Sequence, residues 1–410
     1  MDRERLKILF LAPFAASPAM FGAQRRVEGL MAALARRHEI TAVSVIPNDG
    51  DARAAQRAMR EYSSEVVLVP RPLWDGPGKR LRQLRSLLSS RSFLRGLYDL
   101  PALREALGRL LSSQGYDVVN VEFPFLAPGF LGKPAPGARR PRLVLDEHNI
   151  EFDLARQQAS TQGGIARRVY NALDWRKIRR EEIEVWTGSD GVAFCSEADE
   201  ARARALVPSM RSMVVPNAVD VEYFKPRATD PLPDGRTVIF FGALNYFPNE
   251  DGLLYFLREA WPLIEKSSPK ARLKIVGQEP APAILGHRGP RVEVAGKVDD
   301  LRPHLASAAV SIAPLRVGGG TRFKIVEAMA MAKPVVSTSL GAEGIEAEAG
   351  RHLLLADDPA SFAAAVTRVL GDSGLGSRLG KEGRALVEER YSWDSSAQSL
   401  EALYRQVLAS

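Results

Sequence analysis

Residues 311 to 339 read SIAPLRVGGGTRFKIVEAMAMAKPVVSTS. Their order of residue types is strand, glycine turn, helix, Lys333-Pro334, strand, which is the repeating unit of a parallel α/β sheet. Gly318, Gly319 and Gly320 let the backbone approach a ligand closely, and the helix that follows presents unpaired amides at its start. A helix terminus contributes about 0.3–1 kcal/mol toward an anion. The full charges of Arg322 and Lys324 should therefore dominate a diphosphate site, with the glycine backbone orienting it. Glu327 lies three residues beyond Lys324 on the same helix face. Two readings stand side by side: a surface ion pair worth about 0.2–0.5 kcal/mol, or a carboxylate that accepts hydrogen bonds from ribose hydroxyls.

Outward from this stretch, the second half of the chain continues the plan with TVIFFGAL, RLKIVGQ, VEVAGKV, VSIAPL, PVVSTS and HLLLAD, separated by helical segments such as GLLYFLREAWPLI. The first half offers KILFLAP, EITAVSVI, EVVLVP, YDVVNVEF, RLVLDEH, GVAFCS and SMVVPNAV. Continuous apolar runs, rather than alternation, predict strands covered by helices on both faces. With 410 residues and 45% apolar composition, the chain can bury two cores, since single cores stop growing near roughly 250–300 residues. The expected architecture is α/β: two doubly wound Rossmann-like domains facing across a cleft, residues 1–220 and 221–393, with the helical stretch 394–410 returning to the first. Ligands of such sheets lie outside the carboxyl ends of their strands.

Charge divides unevenly. Residues 1–220 hold 33 Lys+Arg and 26 Asp+Glu, so the remainder of the 56 and 49 is 23 of each sign and carries no net charge. The whole excess of +7 sits in the first half. Within it, Lys79, Arg80, Arg82, Arg85, Arg91 and Arg95 lie among leucines, a pattern that fits either a solvated helical face or contact with an anionic membrane surface through 79–95. Nucleic acid is not expected, because interleaved aromatics and groove-reading motifs are missing. The apolar runs fall short of the ~20 residues a bilayer crossing needs. Arg3, Arg5 and Lys7 before ILFLAPFAA imitate a secretory leader, but Asp2, Glu4, Pro13, Pro18 and Arg25-Arg26 favour a buried first strand. The lone Cys195 excludes disulfides and thiolate-rich metal sites and reads as a buried small residue. Asp49-Gly50-Asp51 imitates a metal-binding DxD but sits before a helix, where a capping role is expected.

Taken together, the segment 311–339, KILFLAP with FGAQRRVEGLMAALARRHEITAVSV, LVLDEHNIE, FCSEAD, PNAVDVEYF and IVGQEP resemble glycosyltransferase family 4, over almost the whole chain. The resemblance implies a GT-B fold and transfer of a sugar from a UDP-, GDP- or ADP-linked donor to a saccharide or lipid-linked acceptor, with retained configuration and without a required metal or other cofactor. Without an export segment, and with activated sugars as substrates, cytoplasmic residence is expected, with the basic stretch 79–95 touching the inner face of a membrane. Two departures matter. Where many members carry a glutamate eight positions before the one matching Glu327, this chain has Gly319, and in GALNYFPNED the usual arginine and lysine positions hold Ala243 and, nearby, Asn249. The sequence is similar to the subgroup with a GGGTRxK donor loop, so Arg322 and Lys324 are inferred to supply the displaced charge, with Thr321 in the same loop and Asn245 and Asn249 as neutral hydrogen-bonding groups.

The resemblance further implies that His148 faces the transferred sugar or acceptor; without it, His148 reads as a hydrogen-bonded structural histidine. Alternation places Asp146 on the same strand face, and a metal pair made by these two lacks an evident third ligand. Gly22, with Gln24 and Arg25, should form the opposing lip of the cleft, helix packing being the plainer reading, and Val298 resembles the base-reading position. Two other activities remain open at this stage: a nucleotide-sugar epimerase of the same architecture, or a noncatalytic nucleotide-sugar-binding module. A dinucleotide oxidoreductase is disfavoured, because the first strand is not followed by G-x-G-x-x-G.

Overall fold

The computed structural model describes residues 5–19, 21–48, 51–72, 82–83, 85–130, 140–161, 165–317 and 322–410. Gly318, Gly319, Gly320, Thr321, Asp49, Gly50, Lys79 and Arg80 lie outside the described residues. Contacts divide the chain into two units: Met1–Val215 with Ser396–Ser410, and Pro216–Ser395.

The first unit is built on β1 (Lys7–Ala12), β2 (Glu39–Pro47), β3 (Glu65–Arg71), β4 (Val118–Glu122), β5 (Arg142–Glu147), β6 (Gly191–Phe194) and β7 (Ser212–Val214). They form one sheet in the order β3-β2-β1-β4-β5-β6-β7, and every pairing is parallel. Parallel strands need crossovers, and the helices that supply them bury both sheet faces. Accordingly Leu9, Leu11, Val43, Val119, Val121, Leu143 and Leu145 sit in one core with Trp186. The helix Gly22–Ala35 buries Val27, Leu30, Met31 and Leu34, the three- and four-residue spacing of an inward helix stripe. Residues 396–410 also belong here. A Cβ on Gly191 would lie 2.9 Å from Val407 Cγ1 and 3.0 Å from Leu403 Cδ1, so β6 accepts the last helix only where a side chain is missing.

The second unit repeats the architecture with β8 (Thr237–Phe241), β9 (Arg272–Val276), β10 (Val292–Gly296), β11 (Val310–Ala313), β12 (Val335–Ser337) and β13 (Leu354–Leu355), in the order β10-β9-β8-β11-β12-β13. One face packs Phe240, Leu253, Phe256, Trp261 and Val366. The other packs Phe241, Ile325, Val326, Met329 and Val387. In each sheet the strand order reverses once, between β1 and β4 and between β8 and β11. Such switch points leave a crevice at the carboxyl ends of the strands; of the described sequence-predicted residues, Gly22 follows β1, Asn245 follows β8 and Arg322 follows β11.

Candidate functional site

In the second unit, β11 ends at Ala313, and the described chain resumes at Arg322, the extended residue (φ −87°, ψ 107°) that precedes the helix Phe323–Ala330. Lys324 and Glu327 point into the protein, at 9% and 3% exposure. This excludes the surface ion pair considered from sequence: neither group is at the surface. Lys324 Nζ donates to Asn249 Oδ1 at 2.6 Å and lies 4.0 Å from the centroid of the Phe240 ring, where the aromatic face attracts a cation. Burial, reinforced by the positive charge of Arg322, pushes the ammonium pKa well below its ordinary value.

Asn249 makes its neutral hydrogen bonds within the protein. Its Oδ1 holds Lys324, and its Nδ2 donates to the Ala243 carbonyl at 2.8 Å. Asn245 donates to Glu279 Oε2 at 2.5 Å. The crowding here requires glycine. Gly242 adopts φ +143°, and a Cβ on it would stand 3.0 Å from Asn249 Nδ2 and 3.5 Å from Lys324 Nζ, while a Cβ on Gly277 would meet Gly242 O at 1.8 Å. Val298 packs partly buried against the neighbouring core, shortly after the irregularity at Gly296, where φ is +74°.

In the first unit, Gly22 opens the helix Gly22–Ala35, preceded by extended Phe21 with no side-chain cap. Gln24 Nε2 donates to the Ala15 carbonyl at 2.8 Å. Arg25 is tied by its backbone amide to Phe21 O. The next residue, Arg26, is wholly buried and grips Asp146 of β5 with both ends of its guanidinium, Nη2 to Oδ1 at 2.7 Å and Nε to Oδ2 at 2.9 Å. Its Nη1 donates to the Val215 carbonyl at 2.8 Å. Burial alone would favour the discharged form, but Asp146 more than offsets it, and the pKa of Arg26 is raised.

His148, just past β5, is 6% exposed. Its Nε2 lies 2.6 Å from Glu122 Oε2 at the end of β4, and its ring stacks on Phe123 with centroids 4.3 Å apart. Phe123 holds a φ of +73°, a costly conformation for a bulky residue. Burial lowers the imidazole pKa to about 3 against the opposing pull of Asp146. Burial and then the charge of Asp146 raise Glu122 well above the carboxylate range. The loop after His148 is pinned in turn: Glu182 accepts from the amides of Glu151 and Phe152 at 2.8 and 2.9 Å, capping the helix that begins there, and Trp186 Nε1 donates to Glu147 at 2.9 Å.

Glu122 is the third acid-base group that sequence reading of the Asp146 and His148 pair missed; ligand atoms of all three lie within 4.8 Å of one another. Asp146 is nevertheless neutralised by a guanidinium on both oxygens, so a divalent ion placed here would face a fixed positive charge. Asn120 and Glu122 alternate inward along VVNVE, and two polar residues inside an apolar strand are a signal that could have found them. Asp51 behaves as expected, accepting from Ala54 N at 2.9 Å as a helix cap, and Cys195 is buried, its thiol pushed up to about 12 by that burial.

The description "Glycosyltransferase Family 4" matches residues 21–223, and "Glycosyl transferases group 1" matches 235–372. A phosphatidyl-myo-inositol mannosyltransferase of Mycobacterium leprae is 31% identical over 205 residues, 48% of this chain and 54% of that protein. The chain spans about half the length of the first curated relatives it matches. Among solved structures, sucrose-phosphate synthase of Thermosynechococcus elongatus aligns with a TM-score of 0.73 at 19% identity, over 99% of this chain and 100% of the other. HepE of Anabaena, in complex with UDP and glucose, aligns with a TM-score of 0.67 at 16% identity, over 97% and 99%. Both are likenesses of fold, two parallel-sheet α/β domains of the GT-B kind. Sequence motifs, sheet order and family matches to both halves agree: the chain belongs to glycosyltransferase family 4.

Proposed function

We propose that the protein is a retaining, metal-independent hexosyltransferase that moves a sugar from a nucleotide-sugar donor to an acceptor in polysaccharide or glycolipid synthesis. The observation that carries this reading is the buried Lys324 ammonium at the strand ends of the second unit, held by a neutral amide. Holding a charge in that environment is unfavourable until an anion arrives, and a diphosphate is an anion of the right chemistry. Arg322, Lys324 and the amides of the glycine turn Gly318–Gly320 then stabilise the charge that grows on the leaving diphosphate. Glu327 takes the ribose hydroxyls, Val298 borders the base, and Gly22, Asn245 and Thr321 complete the donor contacts.

In the reaction, the bond from the sugar's anomeric carbon to the phosphate oxygen breaks while the acceptor oxygen bonds to the same face. The acceptor's proton passes to the departing phosphate, so no side-chain nucleophile is required. His148 contacts the sugar or acceptor. The positive charge of Arg322 and Lys324 does the work a divalent ion would otherwise do. The donor test is thermal shift with UDP, GDP, ADP and their sugars, because a ligand that binds the native state raises apparent stability. Transfer to saccharide and lipid-linked acceptors then follows by product analysis. A donor that binds without transfer or slow hydrolysis would sink the enzymatic reading, and a changed free sugar would replace it with epimerisation.

The surface at 82–91 supports contact with an anionic membrane, at the inner face in a cytoplasmic enzyme. Leu88 is 94% exposed close to Arg85 and Arg91. Part of the basic charge is spent on protein: Arg91 pairs with Asp99 at 2.7 Å, and Arg95 lies 3.7 and 3.8 Å from Glu181 and Glu184. Among the described residues no helix is long and apolar enough to cross a membrane. Flotation with anionic vesicles measures the contact, and equal flotation of Leu88→Asp would remove this surface from it.

A further inference from the structure

A directed hydrogen-bond chain ends on His148. Tyr404 Oη donates to Asn120 Oδ1 at 2.9 Å, and Asn120 Nδ2 donates to Glu122 Oε1 at 2.8 Å. The second oxygen of Glu122 is the one 2.6 Å from His148 Nε2. Tyr404, Asn120 and Glu122 are each 0% exposed, so water does not arbitrate which of the pair carries the proton between them. The charges around the pair do. Among the described residues Arg26 is the cation that faces this cluster, both carboxylate oxygens of Asp146 already hold it, and the same Asp146 charge acts on Glu122. A second carboxylate on Glu122 would put two anions against one guanidinium in a dry pocket, whereas a neutral acid leaves the cluster balanced.

We propose that Glu122 is a neutral carboxylic acid that donates its proton to His148 Nε2, and that it thereby acts as a positioning residue fixing the imidazole as the Nδ1–H tautomer. The directions agree with a neutral pair: burial and then the charge of Asp146 move Glu122 upward, and burial moves His148 downward. The stack on Phe123 sets the ring plane, and Glu122 sets which nitrogen is protonated. A ring held this way carries its proton at Nδ1 and cannot take another there as a general base. This consequence for catalysis rests on the reading that His148 serves the sugar; the tautomer does not.

The test is long-range ¹H–¹⁵N correlation on the full chain labelled at histidine, with His148→Gln assigning the His148 signals among the five histidines. The expected spectrum at neutral pH has a protonated Nδ1 and an unprotonated Nε2. A protonated Nε2, or a doubly protonated ring, overturns the proposal. Glu122→Gln supplies a second arm, because the glutamine amide can accept from Asn120 and donate to Nε2 as the neutral acid does. It should keep the tautomer and lose less than about fivefold in kcat, while Glu122→Leu should lose roughly 10–100-fold, the range for removing a supporting partner of an active-site histidine. A tautomer switch in the glutamine variant overturns the proposal as well. If His148→Ala leaves transfer unchanged while the wild-type spectrum is as expected, the role of His148 falls and the protonation of Glu122 stands.

Discussion

Raising the pH should weaken nucleotide binding through one proton on Lys324. Its ammonium donates to the neutral Asn249 amide at 2.6 Å, while burial and then the positive charge of Arg322 depress its pKa in the free protein. A phosphate oxygen about 4 Å from Nζ contributes about 4 kcal/mol at an effective dielectric of ~20, which favours the charged ammonium. Binding a nucleoside diphosphate therefore restores the proton wherever the free protein has lost it. Between the free and bound pKa values, affinity should fall about tenfold per pH unit, and binding should take up about one proton. Calorimetry at roughly pH 7.5–9, above the phosphate's own titration near pKa ~6, in buffers of differing ionisation enthalpy, reads that uptake directly. The uptake should vanish in Lys324→Met. Equal uptake in wild type and variant, or none in either across this range, would refute the reasoning. The same group gives the free protein a stability term of defined sign. Because the folded pKa lies below the unfolded value, the unfolded chain binds more protons between the two, and stability rises with pH across that window.

Arg322→Ala should fold normally and lose about 10²–10³ in turnover, the scale for one transition-state donor; an undiminished rate would remove it from the leaving-group site. Glu327→Ala should weaken nucleotide affinity, visible by calorimetry with UDP or GDP, and normal affinity would reduce Glu327 to a packing role. Arg26→Met leaves the Asp146 carboxylate buried without its partner, so thermal or urea unfolding should register a loss of about 3–5 kcal/mol. A change below 1 kcal/mol would mean the pair is not the anchor its geometry indicates.

The fold was legible because parallel strands covered on both faces must be apolar at successive positions. The seven strands of one sheet and the six of the other coincide with the apolar runs read from sequence, β2 and β3 each running one residue past theirs. The helix that follows Arg322 was legible too, because its apolar residues begin at Phe323. Partners across the sheet were not. Nothing in the spacing says that Lys324 reaches back 75 residues to Asn249, or that Arg26 crosses 120 residues to Asp146. The neutral hydrogen bonds expected of Asn245 and Asn249 are made within the protein, Asn249 to Lys324 and the Ala243 carbonyl and Asn245 to Glu279. Glu122 escaped notice because a carboxylate inside an apolar strand reads as an ordinary strand end until His148 is seen beside it.

The packing of residues 396–410 against β6 sets an order of events on the ribosome. The first unit begins to emerge early, yet Leu403, Val407 and the Tyr404 hydroxyl that closes the hydrogen bond to Asn120 are translated only after every strand of the second unit. The later unit has all its strands translated before the earlier one has its last helix, so released chains truncated ahead of Leu400 should leave the groove at Gly191 exposed.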